Sequence, residues 1–295
     1  MHITIIIIRL LRWLFGIAFV FTFFNTSVSS FGHMQFFAGS GILFFIEIII
    51  RPHLFIQKMC QVIAQMCPKI NKIGSIQFES DVSQHIYRLP FDGDWLVFNG
   101  GITKETSHSW DIAPQRYAYD FVQVDMHGNT YSGPKRDVTS YLCYDKSILS
   151  PAEGVVACVN NRNNDSKMYF FCGICVLDRS IKDIYGNYVI IKHEHNEYSV
   201  LAHLKKGSIL VKVGEKVDAG TEIAKCGNTG NSSEPHLHFQ IQKGKSLFFS
   251  KGVKIRFTDF SMRALQTVSS NLVTNHSNSE LPDNHISSGY IVKPK

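Results

Sequence analysis

His236 and His238 stand two positions apart in the segment 228–242, NTGNSSEPHLHFQIQ. In a β-strand, side chains two positions apart project from the same face, so both imidazoles can converge on one small ligand. The apolar residues of the same segment predict the opposite, core-facing side: Leu237, Phe239 and Ile241. Imidazoles placed in this way can bind a metal ion or transfer a proton. The alternative interpretation is a pair of solvent-facing histidines.

Two more residues could belong to the same site. Asp120 lies in an aromatic segment, RYAYDFV, and burial of a bare carboxylate is costly unless it is paired or bound to a metal. The alternative for Asp120 is a structural carboxylate that accepts backbone N–H bonds. A third histidine, His203, ends the segment YSVLAHL. His193 and His195 alternate in IIKHEH, and we predict that they are exposed on a hairpin.

Short β-rich segments separated by Gly, Asn and Asp turns run through residues 84–260. Regular short strands with turn signals predict an all-β domain, here an antiparallel sandwich or half-barrel, which would position the histidines and Asp120. Residues 160–183 are predicted to be a loop insertion between two strands. Residues 51–83 are predicted to be a linker, and the polar residues 261–295 a C-terminal tail.

A series of motifs within 150–242 resembles the lysostaphin/LytM-type zinc endopeptidases. In chain order they are SPAEGVVACV, GNYVIIKHEHNEYSVLAHL and GSILVKVGEKVDAGTEIAKCGNTGNSSEPHLHFQI. So many elements in one order are far more specific than a single His-x-His pair. The resemblance implies a LytM-like peptidase domain over 84–260 that acts on the peptides of bacterial peptidoglycan.

The resemblance also implies roles for individual residues. Asp120 and His238 match two ligands of a bound Zn²⁺. His203 and His236 match the two non-ligand histidines, which in the family contact the zinc-bound water or the oxyanion. A zinc ion with three protein ligands keeps one open position and lowers the pKa of a water bound there to about 7. The expected activity is therefore hydrolysis of cross-bridges or stem peptides.

One position departs from the family pattern. Four residues before Asp120, where the family has its first ligand histidine, stands Arg116. A guanidinium stays charged and has no lone pair to offer a metal. Either another residue supplies the ligand, with His108 in TSHSW as the best candidate, or the site is degenerate and Arg116 pairs with Asp120. A degenerate site would make the chain a peptidoglycan-binding or amidase-activating pseudo-enzyme.

The N-terminal 50 residues are predicted to anchor the chain in a membrane. Residues 3–24 are apolar except for Arg9, Arg12 and a few small polar groups, a length that suits a spanning helix. The alternative is a cleaved signal peptide. A second apolar segment, 36–50, is short for a span. If only the first segment crosses, the peptidase domain lies outside the cytoplasm, and we favour this arrangement. If both cross, Arg51 joins the other arginines on the cytoplasmic side.

The cysteine pattern and the net charge exclude few classes of function. The chain has seven cysteines, and Cys172 and Cys175 form one Cys-x-x-Cys, a weak signal for a redox or structural zinc role of the insertion. The formal net charge of +6 suits contact with a membrane or an anionic wall polymer. Lysines and arginines do not interleave with aromatics in the manner of nucleic-acid-binding proteins, so no nucleic-acid partner is expected.

Overall fold

The computed structural model describes residues 56, 82–171, 174–176, 183–265, 282 and 284–295, with only the backbone for 169–171 and 174–176. The predicted membrane region 1–50, most of the linker 51–83 and Cys172 lie outside these residues. So do the side chain of Cys175 and residues 266–281 of the predicted tail. Among the described residues, no helix combines the length and the apolar character that a membrane span needs.

Strands dominate the described part of the chain, which confirms the all-β prediction. They are β1 Val82–Tyr87, β2 Trp95–Gly100, β3 Tyr119–Val122, β4 Ser147–Leu149, β5 Gly154–Asn160, β6 Tyr169–Phe171, β7 Ile174–Val176, β8 Tyr188–Lys192, β9 Glu197–Ala202, β10 Lys216–Val217, β11 Glu222–Lys225, β12 Leu237–Lys243, β13 Lys251–Gly252, β14 Lys254–Phe257, β15 Phe260–Ala264 and β16 Tyr290–Pro294. Short 3-10 helices cover Ala113–Gln115, Val138–Ser140 and Glu194–Asn196.

Within the described residues one large sheet organises the domain. Its strand order is β10-β5-β8-β9-β12-β3-β2-β16-β15, with β13 also paired to β12. Every pair in this sheet is antiparallel, as predicted, and its end strands β10 and β15 leave it open. Strand β12 lies between β9 and β3, so its side chains have a partner strand on each side.

Strand β12 has two faces of different character. Leu237, Phe239 and Ile241 are at most 1% exposed and belong to the main hydrophobic core, which confirms the predicted core face. The opposite face carries His238, Gln240 and Gln242, and these polar side chains are also buried. Buried polar groups must find hydrogen-bond partners inside the protein. The orientations of the three polar side chains on this face are therefore restricted to those that make such hydrogen bonds.

The prediction of a polar tail over 261–295 is wrong for the two parts of this range that form strands, one at its beginning and one at its end. Strand β15 pairs with β16 over five residue pairs, and β16 pairs with β2. Ile291 and Val292 of β16 are buried, at 6% and 0% exposure. The apolar residues YIV at 290–292 bury enough surface to add a strand to the sheet. So short an apolar segment after a long polar one does not predict a strand from the sequence.

The prediction that His193 is exposed is also wrong, whereas His195 is exposed as expected. His193 is 4% exposed, and its two ring nitrogens contact the Glu153 carbonyl oxygen at 2.6 Å and the Ser199 hydroxyl at 2.9 Å. Its ring also packs against the edge of Tyr87. Strand β1 covers this histidine and makes it part of the interior.

Burial lowers the pKa of His193 to about 4. A histidine whose folded pKa lies below its unfolded value of 6.5 takes up a proton on unfolding between these two pH values. The free energy of unfolding is therefore expected to fall on acidification, by roughly 2 kcal/mol from pH 7.5 to pH 5. Urea unfolding followed by tryptophan fluorescence at both pH values measures it.

Two variants isolate the His193 contribution. His193→Gln should have a smaller loss of unfolding free energy between the two pH values than the natural chain. His195→Gln, which changes an exposed histidine two positions along the chain, should keep the full loss. Equal pH dependence in all three proteins would show that His193 is not the titrating group.

Candidate metal centre

The register of the sheet places Asp120 and His238 side by side. Asp120 on β3 is the direct cross-strand partner of His238 on β12. On the other side of β12, His238 is opposite Ala202, the last residue of β9. His203 follows Ala202 directly, and His236 precedes β12. Residues far apart along the chain therefore reach one end of three adjacent strands.

The Asp120 carboxylate contacts three imidazoles and one amide. Its Oδ2 lies 3.0 Å from His108 Nε2. Its Oδ1 lies 3.0 Å from His238 Nδ1 and 3.6 Å from His236 Nε2. Asn99 Nδ2 donates to Oδ2 at 3.5 Å. The structure thus brings together Asp120 and the three histidines 108, 236 and 238.

His108, the candidate substitute ligand, reaches the site from the segment before β3. Its ring packs edge-on against His238, with 5.0 Å between the ring centroids. Arg116, at the family's ligand position, donates from Nε to the Trp110 carbonyl oxygen at 2.8 Å. Its guanidinium lies over the Trp110 ring. These contacts favour the interpretation in which His108 replaces the missing ligand.

Two buried amides determine the proton position on His238. Gln242 Nε2 donates to the carbonyl oxygens of Gly244, at 2.8 Å, and Ser246, at 3.0 Å. Because a carbonyl only accepts, the Gln242 oxygen must accept from Gln240 Nε2, at 2.6 Å. The Gln240 oxygen in turn accepts from His238 Nε2 at 2.9 Å. Neutral His238 therefore carries its proton on Nε2 and presents a bare Nδ1 to the carboxylate.

His203 stands beside this group with a similar constraint. Its Nδ1 donates to the Thr229 carbonyl oxygen at 2.7 Å, which leaves Nε2 as the acceptor of the neutral ring. Its ring centroid is 4.6 Å from that of His236. Its backbone has a φ of 62°, a left-handed conformation that few residues other than glycine adopt and that often marks functional positions. The surrounding structure thus holds His203 at some cost in backbone strain.

His236 is oriented in the same sense by its own loop. Its Nδ1 donates to the Glu234 carbonyl oxygen at 2.8 Å and contacts the Ser232 hydroxyl at 3.1 Å. The neutral ring then presents Nε2 toward Asp120. Its side chain is 13% exposed and so remains accessible to solvent.

Electrostatics favour an ionised Asp120 carboxylate and a neutral His203 ring. Burial raises the pKa of Asp120, but the neighbouring imidazoles of His108 and His236 outweigh burial and hold the pKa well below its ordinary value. Burial lowers the pKa of His203 well below its ordinary value, and the neighbouring histidines lower it further. His203 is therefore neutral at pH 7, with a free Nε2 lone pair.

The residues present fit a zinc ion. One nitrogen or oxygen each from His108, Asp120 and His238 lie within 4.8 Å of one another. Zinc ligands lie about 2.0–2.2 Å from the metal, so the ligand atoms of a tetrahedral site are roughly 3.4 Å apart. Nδ1 of neutral His238 and the Asp120 oxygen both carry lone pairs at 3.0 Å, an unfavourable contact that a cation between them would relieve.

Sequence reasoning missed three contributors to this site. Gln240 and Gln242 continue the period-two pattern of His236 and His238, a signal that could have identified them. Thr229, whose carbonyl oxygen holds His203, comes from the turn-rich segment before β12 and carries no comparable signal. The position of a backbone carbonyl depends on how two distant segments pack.

None of the cysteines whose side chains the structure describes belongs to the group His108, Asp120 and His238. Cys143, Cys158 and Cys226 are free thiols, and the first and last of these are fully buried. The predicted role of Cys172 and Cys175 stays a prediction, because Cys172 lies outside the described residues and Cys175 is described by its backbone only.

The similarity to known proteins lies in the same part of the chain as these motifs. The sequence profile of peptidase family M23 matches residues 139–249, a range that includes His203, His236 and His238. Residues 139–249 belong to peptidase family M23. This confirms the resemblance to lysostaphin/LytM-type peptidases. Asp120 and His108 lie before the matched range of this M23 domain, so their part in the site depends on the geometry above.

Three curated relatives each match a short segment of the chain. An uncharacterized metalloprotease of Buchnera aphidicola subsp. Baizongia pistaciae is 42% identical over 71 residues, which are 24% of this chain and 18% of that protein. Peptidoglycan DD-endopeptidase ShyA of Vibrio cholerae is 42% identical over 69 residues, 23% and 15% of the two chains. Murein hydrolase activator NlpD of Escherichia coli is 47% identical over 64 residues, 21% and 16%. The match thus spans less than a fifth of each relative.

Proposed function

We propose that the chain is a membrane-anchored zinc metalloendopeptidase that cleaves peptide cross-bridges or stem peptides of peptidoglycan. One observation carries this proposal: His108 Nε2 lies 3.0 Å from the Asp120 carboxylate, whose other oxygen lies 3.0 Å from His238. A third protein ligand is thereby available although Arg116 occupies the usual ligand position. Asp120, His108 and His238 would hold the zinc ion.

Zinc with three protein ligands keeps an open position, where it lowers the pKa of a water to about 7 and polarises the carbonyl to be cleaved. The protein supplies ligands with fixed directions. The Gln240–Gln242 pair holds the His238 proton on Nε2, so that Nδ1 stays available. Ionised Asp120 contributes the negative charge that a divalent cation requires.

His203 and His236 would handle the protons of hydrolysis. Both rings donate from Nδ1 to a backbone carbonyl oxygen, Thr229 for one and Glu234 for the other, so both present Nε2 as an acceptor. One Nε2 can take a proton from the attacking water, and the imidazolium formed can return it to the leaving amine. The other ring can accept a hydrogen bond from the attacking water at its Nε2 and so orient that water.

The substrate assignment comes from the relatives. ShyA is named a peptidoglycan DD-endopeptidase, and its segment of 42% identity supports peptidoglycan peptides as the substrate class. Membrane anchoring is supported by the apolar segment 3–24, with the peptidase domain outside the cytoplasm where peptidoglycan lies. The modest positive charge suits contact with anionic wall polymer.

Metal content and hydrolysis of purified peptidoglycan test the proposal together. The full chain, purified in detergent, is expected to bind about one zinc per chain and to release peptide fragments with new amino termini. Removal of zinc with a chelator should abolish release, and added zinc should restore it. The catalytic proposal fails if the zinc-loaded chain leaves peptidoglycan uncut or if the chain binds no zinc.

A second candidate function is a murein hydrolase activator without activity of its own. The 47% identity to a segment of NlpD, named a murein hydrolase activator, favours it. An activator should stimulate a separate amidase equally well after His203 and His238 are replaced by alanine. An endopeptidase should lose its function in both variants, so the same pair of substitutions separates the two proposals.

A further inference from the structure

We propose that Arg116 is a positioning residue that clamps the segment 107–110 and thereby delivers His108 to the metal centre. The inference rests on the proposed zinc site. It assigns a specific purpose to the residue that replaces the family's ligand histidine. In this proposal His108 is the ligand in place of the residue at position 116, and Arg116 anchors the segment that carries His108.

Two hydrogen bonds join Arg116 to this segment on both sides of His108. The Ser107 hydroxyl donates to the Arg116 carbonyl oxygen at 2.6 Å. Arg116 Nε donates to the Trp110 carbonyl oxygen at 2.8 Å. His108 therefore lies within a short stretch that is tied at each end to one residue.

The Arg116 side chain also packs on the segment that it binds. Its guanidinium carbon lies 5.2 Å from the centre of the Trp110 ring. The Trp110 ring in turn meets Tyr117 edge-on, at 6.1 Å between centroids. A planar guanidinium can stack on an indole and donate along its edge at the same time, which a lysine ammonium cannot do. The clamp therefore uses properties specific to arginine.

The segment needs such a clamp because regular structure does not hold it. Residues 101–112 belong to no strand, and the backbone hydrogen bonds on either side of His108 are those of turns, Ser107 N to Thr103 O and Ile112 N to Ser109 O. An imidazole on an unrestrained loop would lose much conformational entropy on binding a metal. Contacts that hold the loop in its ligating conformation beforehand reduce that loss and tighten binding.

The opposite hypothesis treats Arg116 as a cation that repels zinc. The two hypotheses predict opposite signs for one substitution. If Arg116 mainly repels the metal, Arg116→Gln tightens zinc binding. If Arg116 clamps the His108 segment, the same substitution weakens zinc binding, because glutamine neither stacks in the same way nor reaches as far. Zinc affinity therefore discriminates directly between them.

The experiment uses the full chain in detergent and two measurements. Zinc affinity comes from competition with a chromogenic chelator, and exchange of the backbone amides of 103–112 comes from hydrogen–deuterium exchange of the metal-free protein. Arg116→Gln is expected to weaken zinc binding about 10- to 100-fold, the range seen when a group that orients a ligand is lost. It is also expected to speed amide exchange in 103–112. In a His108→Ala background, Arg116→Gln should add no further loss of affinity.

Arg256→Gln is the matched control. Arg256 likewise donates to backbone carbonyl oxygens of a neighbouring segment, those of Ser83 and Gln84, at 2.8 and 2.7 Å. Its loss should leave zinc affinity and exchange of 103–112 unchanged. Unchanged or tighter zinc binding by Arg116→Gln, additive losses in the His108→Ala background, or unaltered exchange of 103–112 would each overturn the clamp. A natural chain that binds no zinc overturns the proposed function, while the exchange measurement still decides whether Arg116 holds the segment.

Discussion

Replacement of His108 by alanine is expected to reduce zinc affinity by more than about 100-fold and to abolish peptidoglycan hydrolysis. Loss of a group that only orients a ligand already costs 10- to 100-fold in metal affinity, so loss of a ligand should cost more. With His108 absent, only two of the three proposed ligands remain, Asp120 and His238. Chelator competition measures the affinity, and the release of new amino termini from purified peptidoglycan measures the activity.

The His108 substitution should not unfold the domain. His108 is half-buried on a loop, and the main hydrophobic core does not include it. Thermal unfolding of the metal-free variant should therefore resemble that of the metal-free natural chain. His127→Ala is a suitable control, because His127 lies on an exposed turn. Retention of one tightly bound zinc in His108→Ala would show that the third ligand comes from elsewhere.

Replacement of His203 by asparagine is expected to lower the hydrolysis rate by about 10²- to 10⁴-fold while zinc stays bound, since this is the usual contribution of a positioned acid–base group. Zinc should remain because His203 is outside the group His108, Asp120 and His238. Asparagine is preferred to alanine because it tolerates the left-handed backbone of residue 203, with its φ of 62°. Single-turnover rates on peptidoglycan, together with zinc content, test both halves of this expectation.

An alanine variant at the same position provides a useful comparison. His203→Ala should lose activity to a similar degree and should also be less stable than His203→Asn, because alanine is strained at positive φ. If His203→Asn hydrolyses peptidoglycan at the natural rate, then His203 takes no part in proton transfer. The proton role would then fall to His236 alone.

Much of the candidate site could be predicted from local patterns. The His-x-His pair, the apolar residues that alternate with it and the isolated Asp120 are all features of single strands. A strand's period of two determines which side chains share a face, so a short window of sequence suffices. The ordered motifs of 150–242 indicate the family. The sequence also indicates His108 as a candidate ligand, because Arg116 occupies the position of the family's first ligand histidine.

The remaining features depend on contacts between segments that are distant along the chain. Whether Arg116 pairs with Asp120 or His108 supplies the missing ligand was open in the sequence, and only the packing of the loop directs Arg116 to Trp110. The burial of His193 under β1 and the addition of β16 to the sheet are likewise pairings over long separations. Local periodicity describes one element at a time, whereas burial, proton position and ligand geometry arise only when β3, β9 and β12 are brought side by side.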